Sequence, residues 1–206
     1  IRSGNIGSVR IGQKIGVEKF KDFLTKINVI NKIEFDVDEI GIPISFKWGK
    51  CKLATTSFGH GITTTPLQLA KGYAIVTNGG FDVNPTIIKG KSEKIIKYKK
   101  RIIRENVSKK INPILRKIVT TKEGTANLAD VKGYEIGGKT GTAEKIVSGT
   151  YSNQKKINTF ASVFPISNPK FVLVVILDEP KINAEYIYNY RDGSNFKLKG
   201  SPRNTS

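Results

Sequence analysis

Methionine is absent from these 206 residues, and cysteine and histidine occur once each. A lone cysteine, Cys51, excludes an internal disulfide and any zinc site built on cysteines. As a small thiol it is expected to sit buried or half-buried, as a hydrophobe would. A lone histidine, His60, excludes multi-histidine metal centres and makes any Ser-His-Asp triad depend on that residue. Long apolar runs are missing too. The longest, Phe171 to Leu177, suits a buried strand and falls far short of the ~20 residues that cross a bilayer. No secretory leader is visible, which carries no information on targeting in a chain that opens on Ile1-Arg2-Ser3. Because the first residue is not Met and the end, Lys199 to Ser206, is polar, both ends are expected to be cuts in a longer protein.

Acidic residues are scarce, 17 Asp and Glu against 35 Lys and Arg, for a net charge of +18. That balance raises a nucleic-acid reading, and the densest basic block runs from Lys89 to Lys110. Only Tyr98 there offers a ring for base stacking, and the lysines alternate with Ile95, Ile96, Ile102 and Ile103 as in a half-exposed strand or hairpin. Lys, Ile and Asn are abundant along the whole chain, so the block reads as a solvated basic surface, and no nucleic-acid partner is expected. Such a surface still favours anionic headgroups or an acidic polymer nearby. An apolar content of 38% with 25% charged residues fits a folded globular chain long enough to bury a core.

Apolar residues from Ile6 to Ile27 follow a helical rhythm interrupted near Gly16, which predicts two helices, the first opening directly after Ser3-Gly4-Asn5. Residues 31–59 lack periodicity and read as a long connection. Thr65-Pro66 opens a clear helix, with proline in its first turn, and Asn78-Gly79-Gly80 closes it. Ser108 is expected to cap a helix through Val119, which Glu123 to Ala126 continues or restarts. Three strands follow: Gly133 to Thr142, Thr159 to Phe164, and Phe171 to Asp178. The loop Pro165 to Lys170 is good hairpin chemistry, so the fold class expected is α+β (mixed α/β), an antiparallel sheet flanked by helices.

The chemistry concentrates in Gly137-Gly138-Lys139-Thr140-Gly141-Thr142-Ala143-Glu144-Lys145. An ammonium, two hydroxyls and flexible backbone at a strand edge can hold an anionic substrate. Alone, a KTG triplet is weak. Ser3-Gly4-Asn5 places a hydroxyl and a carboxamide at the mouth of a helix, where both residue types also serve as plain N-caps.

Taken together and in order, these pieces resemble the transpeptidase domain of class B penicillin-binding proteins, most closely the septal cell-division type. Ser3-Gly4-Asn5 matches the family's S-x-N motif. Phe58 to Gly80, FGHGITTTPLQLAKGYAIVTNGG, is similar to its FG-x-GI-x-x-TPLQLA segment. Val119 to Ala126 resembles the helix before the active-site strand, GGKTGTAEK carries the K-T-G-T motif, and Thr159 to Pro180 resembles the two closing strands. The likeness covers nearly the whole chain. It implies a penicillin-binding-protein/serine β-lactamase-like transpeptidase fold, with residues 1–206 forming the later part of that domain.

The resemblance also implies an activity: peptidoglycan D,D-transpeptidation through a serine acyl-enzyme, on stem peptides ending in D-Ala-D-Ala, with β-lactams as mimics of that end. No cofactor or metal is implied. Ser3 would relay a proton, and Asn5 would bind the substrate amide and orient a lysine. Lys139 would supply positive potential, and Thr140 and Thr142 would receive the terminal carboxylate. Gly141 would let the substrate lie along the strand, and the Thr142 N–H would join the oxyanion hole. His60 falls at a position that varies in the family and takes no catalytic role. The family's nucleophilic S-x-x-K precedes S-x-N, and none stands in a suitable place here, so these residues are expected to be inactive on their own. The implied setting is the outer side of a bacterial cytoplasmic membrane, in a membrane-anchored protein with cell-wall synthesis or divisome partners. A D,D-carboxypeptidase, a serine β-lactamase or a β-lactam receptor of the same fold are the alternatives, and a basic nucleic-acid module lies outside the family.

Overall fold

Glycines and capping side chains set the helix boundaries. In the computed structural model, residues 4–89, 100–147, 149–181, 187–189 and 195–197 are described. Helices α1 (Asn5–Ile15) and α2 (Val17–Lys26) are separated by Gly16, whose φ of 82° ends one helix and starts the next. The break is where the hydrophobic rhythm fails. Asn5 is already the first helical residue, and Gly4 occupies the cap position without any side-chain cap bond, so Asn5 does not act as an N-cap.

Helix α4 (Pro66–Thr77) has the expected start. The Thr65 hydroxyl accepts from the Gln68 N–H, and the Gln68 side chain accepts from the Thr65 N–H, a reciprocal capping box behind a first-turn proline. Its end is tied by Asn78, whose Oδ1 accepts from the N–H groups of Gly80 and Phe81 at 3.1 and 2.8 Å.

Several expectations need correction. The supposed connection over residues 31–59 contains a short helix, α3 (Lys50–Thr56), which buries Leu53 and Thr56. Cys51 lies on the other side of that helix and is exposed, not buried. Helix α5 (Glu105–Thr120) begins before Ser108, with Arg104 at the cap position and Glu105 in its first turn. Ser108 is instead buried inside the helix, and its hydroxyl donates to the Val76 carbonyl of α4. After α5 the chain makes a turn and a 3-10 segment, Asn127–Ala129, rather than more α-helix. Of the basic block, residues 90–99 lie outside the described residues; Arg101 bridges Phe81 and Glu105 to Lys110 are helical, not strand.

The sheet is antiparallel in the order β1-β2-β3, as the hairpin-length links require. Strand β1 (Gly137–Val147) starts four residues later than expected, β2 (Thr150–Phe164) starts nine residues earlier, and β3 (Phe171–Asp178) has the expected bounds. A separate two-stranded antiparallel ribbon pairs β4 (Ile187–Asn189) with β5 (Asn195–Lys197).

The main core joins α5 to the sheet: Leu115, Ile118 and Val119 pack with Ala126, Val163 and Ile166, and Val163 is completely buried. A second cluster of Ile27, Ile75 and Ile103 ties the end of α2 to α4 and the start of α5. Removing this apolar surface from water supplies about 1.5–3 kcal/mol per side chain, which fixes α5 against the strand that carries Lys139.

Candidate active site

Strand β1 enters the sheet through two residues that have no side chains. Gly137 and Gly138 are buried because their neighbours press on the backbone. A Cβ on Gly138 would lie 2.6 Å from the Ala161 carbonyl and 2.9 Å from the Phe160 ring. The close approach seats the next residue, Lys139, opposite Ala161, with Thr140 opposite Phe160 and Thr142 opposite Asn158.

Alternation along a strand puts Thr140 and Thr142 on one face and Lys139 on the other. The lysine stem nevertheless carries its ammonium round the strand. Lys139 Nζ donates to the Thr140 carbonyl at 2.7 Å and lies 3.5 Å from both the Thr140 hydroxyl and the Thr125 hydroxyl. Burial holds the Lys139 pKa below its ordinary value of 10.5. A carbonyl that takes the lysine ammonium faces the strand edge, and the N–H of the residue two further on, Thr142, points to that same edge. Gly141 and Thr142 are exposed there, and a Cβ on Gly141 would meet no atom within 4 Å. The result is a cation, two hydroxyls and a backbone donor around open space. It suits a carboxylate and an extended peptide.

Not every expected residue joins this cluster. Ser3 lies outside the described residues. Asn5 is exposed at the start of α1, which packs on α2 and α3, whereas β1 packs on β2 and α5. No hydrogen bond joins Asn5 to Lys139. His60 sits between the rings of Phe58 and Tyr151, at 5.4 and 5.5 Å, in an aromatic stack that meets the start of β2. Three serines have a lysine three residues on; Ser194 lies outside the described residues, and neither Ser152 nor Ser167 forms a serine–lysine pair. The Ser152 hydroxyl accepts from the N–H groups of Gln154 and Lys155, whose ammonium faces Glu179, and the Ser167 hydroxyl donates to Glu135.

Three further polar residues adjoin the strand, Thr125, Arg116 and Lys145; none is among the expected site residues, although Thr125 and Lys145 fall inside the segments that resemble the family. Thr125 touches the Lys139 ammonium, and one guanidinium nitrogen of Arg116 donates to the Ile136 carbonyl at 2.8 Å and to Asp130 at 3.1 Å. At the far end, Lys145 pairs with Asp178 and Glu179 across the sheet, and those hydrogen bonds raise its pKa and lower that of Glu179. Among the described residues no group of His, Cys, Asp and Glu is placed to hold a metal ion.

Residues 1–195 match the family model described as the penicillin-binding protein transpeptidase domain. The chain belongs to this transpeptidase family. Among curated relatives, it is 31% identical over 190 residues to the probable peptidoglycan D,D-transpeptidase FtsI of Caulobacter vibrioides, covering 88% of this chain and 32% of that protein. Stage V sporulation protein D of Bacillus subtilis is 34% identical over 196 residues, covering 89% and 30%. The chain thus spans about a third of the length of these relatives. Among solved structures, the transpeptidase domain of Burkholderia pseudomallei penicillin-binding protein 3 superposes with a TM-score of 0.78 at 27% identity, over 85% of this chain and 54% of that one. The ampicillin complex of penicillin-binding protein 3 from Mycobacterium tuberculosis gives 0.78 at 26% identity, over 88% and 44%. The antiparallel sheet with α5 against it is therefore the transpeptidase arrangement, as the resemblance implied. No described helix is long and apolar enough to cross a membrane.

Proposed function

We propose that this chain forms one wall of the active site of a serine peptidoglycan D,D-transpeptidase, and that β-lactams acylate the same site. The observation that carries the reading is the Lys139 ammonium held against Thr140 beside the open edge at Gly141 and Thr142. A stem peptide would lie along that edge as an added strand, its terminal carboxylate on the Thr140 and Thr142 hydroxyls and near the Lys139 charge. The attacking serine and its lysine come from a part of the protein outside these residues. Its oxygen would attack the carbonyl between the last two D-alanines and expel the terminal D-alanine, whose amine takes a proton. An amine of a second stem would then displace the serine and make the cross-link. The Thr142 N–H would steady the oxyanion, worth about 3 kcal/mol for one donor.

Ser3 would act as proton relay and Asn5 would bind the substrate amide. The penicillin-bound relative supports β-lactams as ligands. The relatives named as peptidoglycan transpeptidases support placing the domain outside the cytoplasmic membrane, where its substrate is found, with divisome or other cell-wall synthesis proteins as partners. The test is labelling of the full-length protein by a fluorescent penicillin. Wild type should label stably and Lys139→Ala at least tenfold more slowly; equal labelling rates would reject the assignment.

A further inference from the structure

The two glycines that open β1 leave a mechanical problem. Between Ile136 and Lys139 there is no side chain to anchor the strand, and glycine has the most backbone freedom to lose. The strand must nevertheless present Lys139 at a fixed place. Two contacts hold its entrance: the Ile166 N–H donates to the Glu135 carbonyl at 2.7 Å, and Arg116 donates to the Ile136 carbonyl at 2.8 Å. The same Arg116 nitrogen also holds Asp130, at 3.1 Å, with the arginine side chain 30% exposed and the aspartate 13%. Asp130 closes the segment whose other end is Thr125, and the Thr125 hydroxyl faces the Lys139 ammonium. One guanidinium on α5 thus pins both the strand that carries the cation and the segment that carries its hydroxyl neighbour.

We propose that Arg116, braced by Asp130, is a positioning residue that sets where the Lys139 ammonium stands relative to the carboxylate-receiving edge. The proposal rests on the transpeptidase reading of this site. Arg116 touches no substrate; it acts through the Ile136 carbonyl and the Asp130 segment. Both contacts come from one guanidinium nitrogen, so a lysine at 116 keeps the charge but, with its shorter stem and freely rotating ammonium, restores the two contacts only in part. Displacement of the strand by about 1 Å would cost roughly a hundredfold in a well-oriented reaction, so partial loosening should cost about tenfold.

The experiment compares acylation of the full-length protein by a penicillin and by its methyl ester, which lacks the carboxylate charge. Wild type should strongly prefer the acid. Arg116→Ala should reduce that acid-to-ester preference about tenfold, and Arg116→Lys should recover part of it, with melting temperature followed in parallel. A role confined to stability would lower the melting temperature and leave the preference alone, and that result would overturn the proposal. If Arg116→Ala does not fold, Asp130→Asn takes its place: it keeps the guanidinium on Ile136, and an unchanged preference there would also overturn the proposal. Lys139→Ala, run alongside, separates the two levels. If it too keeps the full preference, the site reading fails; if it loses the preference while Arg116→Ala and Asp130→Asn keep it, only the brace fails.

Discussion

Gly138→Ala is the sharpest single change at this site, because it adds one methyl group and no charge. The new Cβ would sit 2.6 Å from the Ala161 carbonyl oxygen and 2.9 Å from the Phe160 ring, where ordinary contact starts at 3.4 Å. Strands β1 and β2 must therefore part by about 3.4 − 2.6 = 0.8 Å, since the nearer obstacle is backbone and cannot rotate away. Overpacking of this kind costs about 1–3 kcal/mol in stability. The catalytic cost is larger, because the displaced residue adjoins Lys139, and a shift near 1 Å is worth roughly a hundredfold in rate. Stopped-flow acylation of the full-length protein by a fluorescent penicillin should fall between tenfold and a hundredfold, with melting lowered by a few degrees. Gly141→Ala, where a Cβ meets no protein atom, should melt as wild type and slow acylation only by crowding the ligand. If Gly138→Ala acylates within twofold of wild type, β1 does not need this close approach and the reasoning is wrong.

Two further outcomes follow from the charges and caps. Burial lowers the Lys139 pKa from its ordinary 10.5, so its charged form is costlier in the folded protein than in the unfolded chain. Its charge opposes folding at neutral pH, and the penalty disappears as pH rises through the folded pKa toward 10.5. Lys139→Met should therefore not lower the melting temperature at pH 7.5 while slowing acylation at least tenfold; a clear loss of stability would show that the lysine is mainly structural. Thr65→Ala removes one half of the capping box of α4 and should cost about 1 kcal/mol in urea unfolding, whereas Thr65→Ser should cost little.

How much was legible depended on whether the cause was local. Helix α4 announced itself because its cap, its proline and its closing Asn78-Gly79-Gly80 lie within the segment they delimit. Strand β3 announced itself as an apolar run between turn residues. Helix α3 did not, because seven residues are too few to show a period, and it gains its burial through Leu53 and Thr56 from elements distant in sequence. That same register turned Cys51 outward. Ser108 looked like a cap because serine is favoured there, but α4 supplies a carbonyl that takes its hydroxyl inside the helix. At the site, the K-T-G-T run could be read directly. The contacts of Lys139 with Thr125 and of Arg116 with Ile136 could not, since folding brings together residues 14 and 20 positions apart.

The outer edge of β1 has a consequence for how such a protein behaves in a crowded compartment. Among the described residues it bounds the order β1-β2-β3, and a boundary strand that takes one extended peptide is open to others. Lys139 and Lys145 stand on this strand among the exposed positions Gly141, Thr142 and Ala143. On the proposed reading the Lys139 charge admits a chain end that brings its own carboxylate and discourages other strands from zipping on, whereas the Lys145 charge is taken up by Asp178 and Glu179. On that reading, selectivity for an anionic terminus and protection against unwanted self-assembly are two effects of the Lys139 ammonium, so replacing it should lower solubility along with acylation.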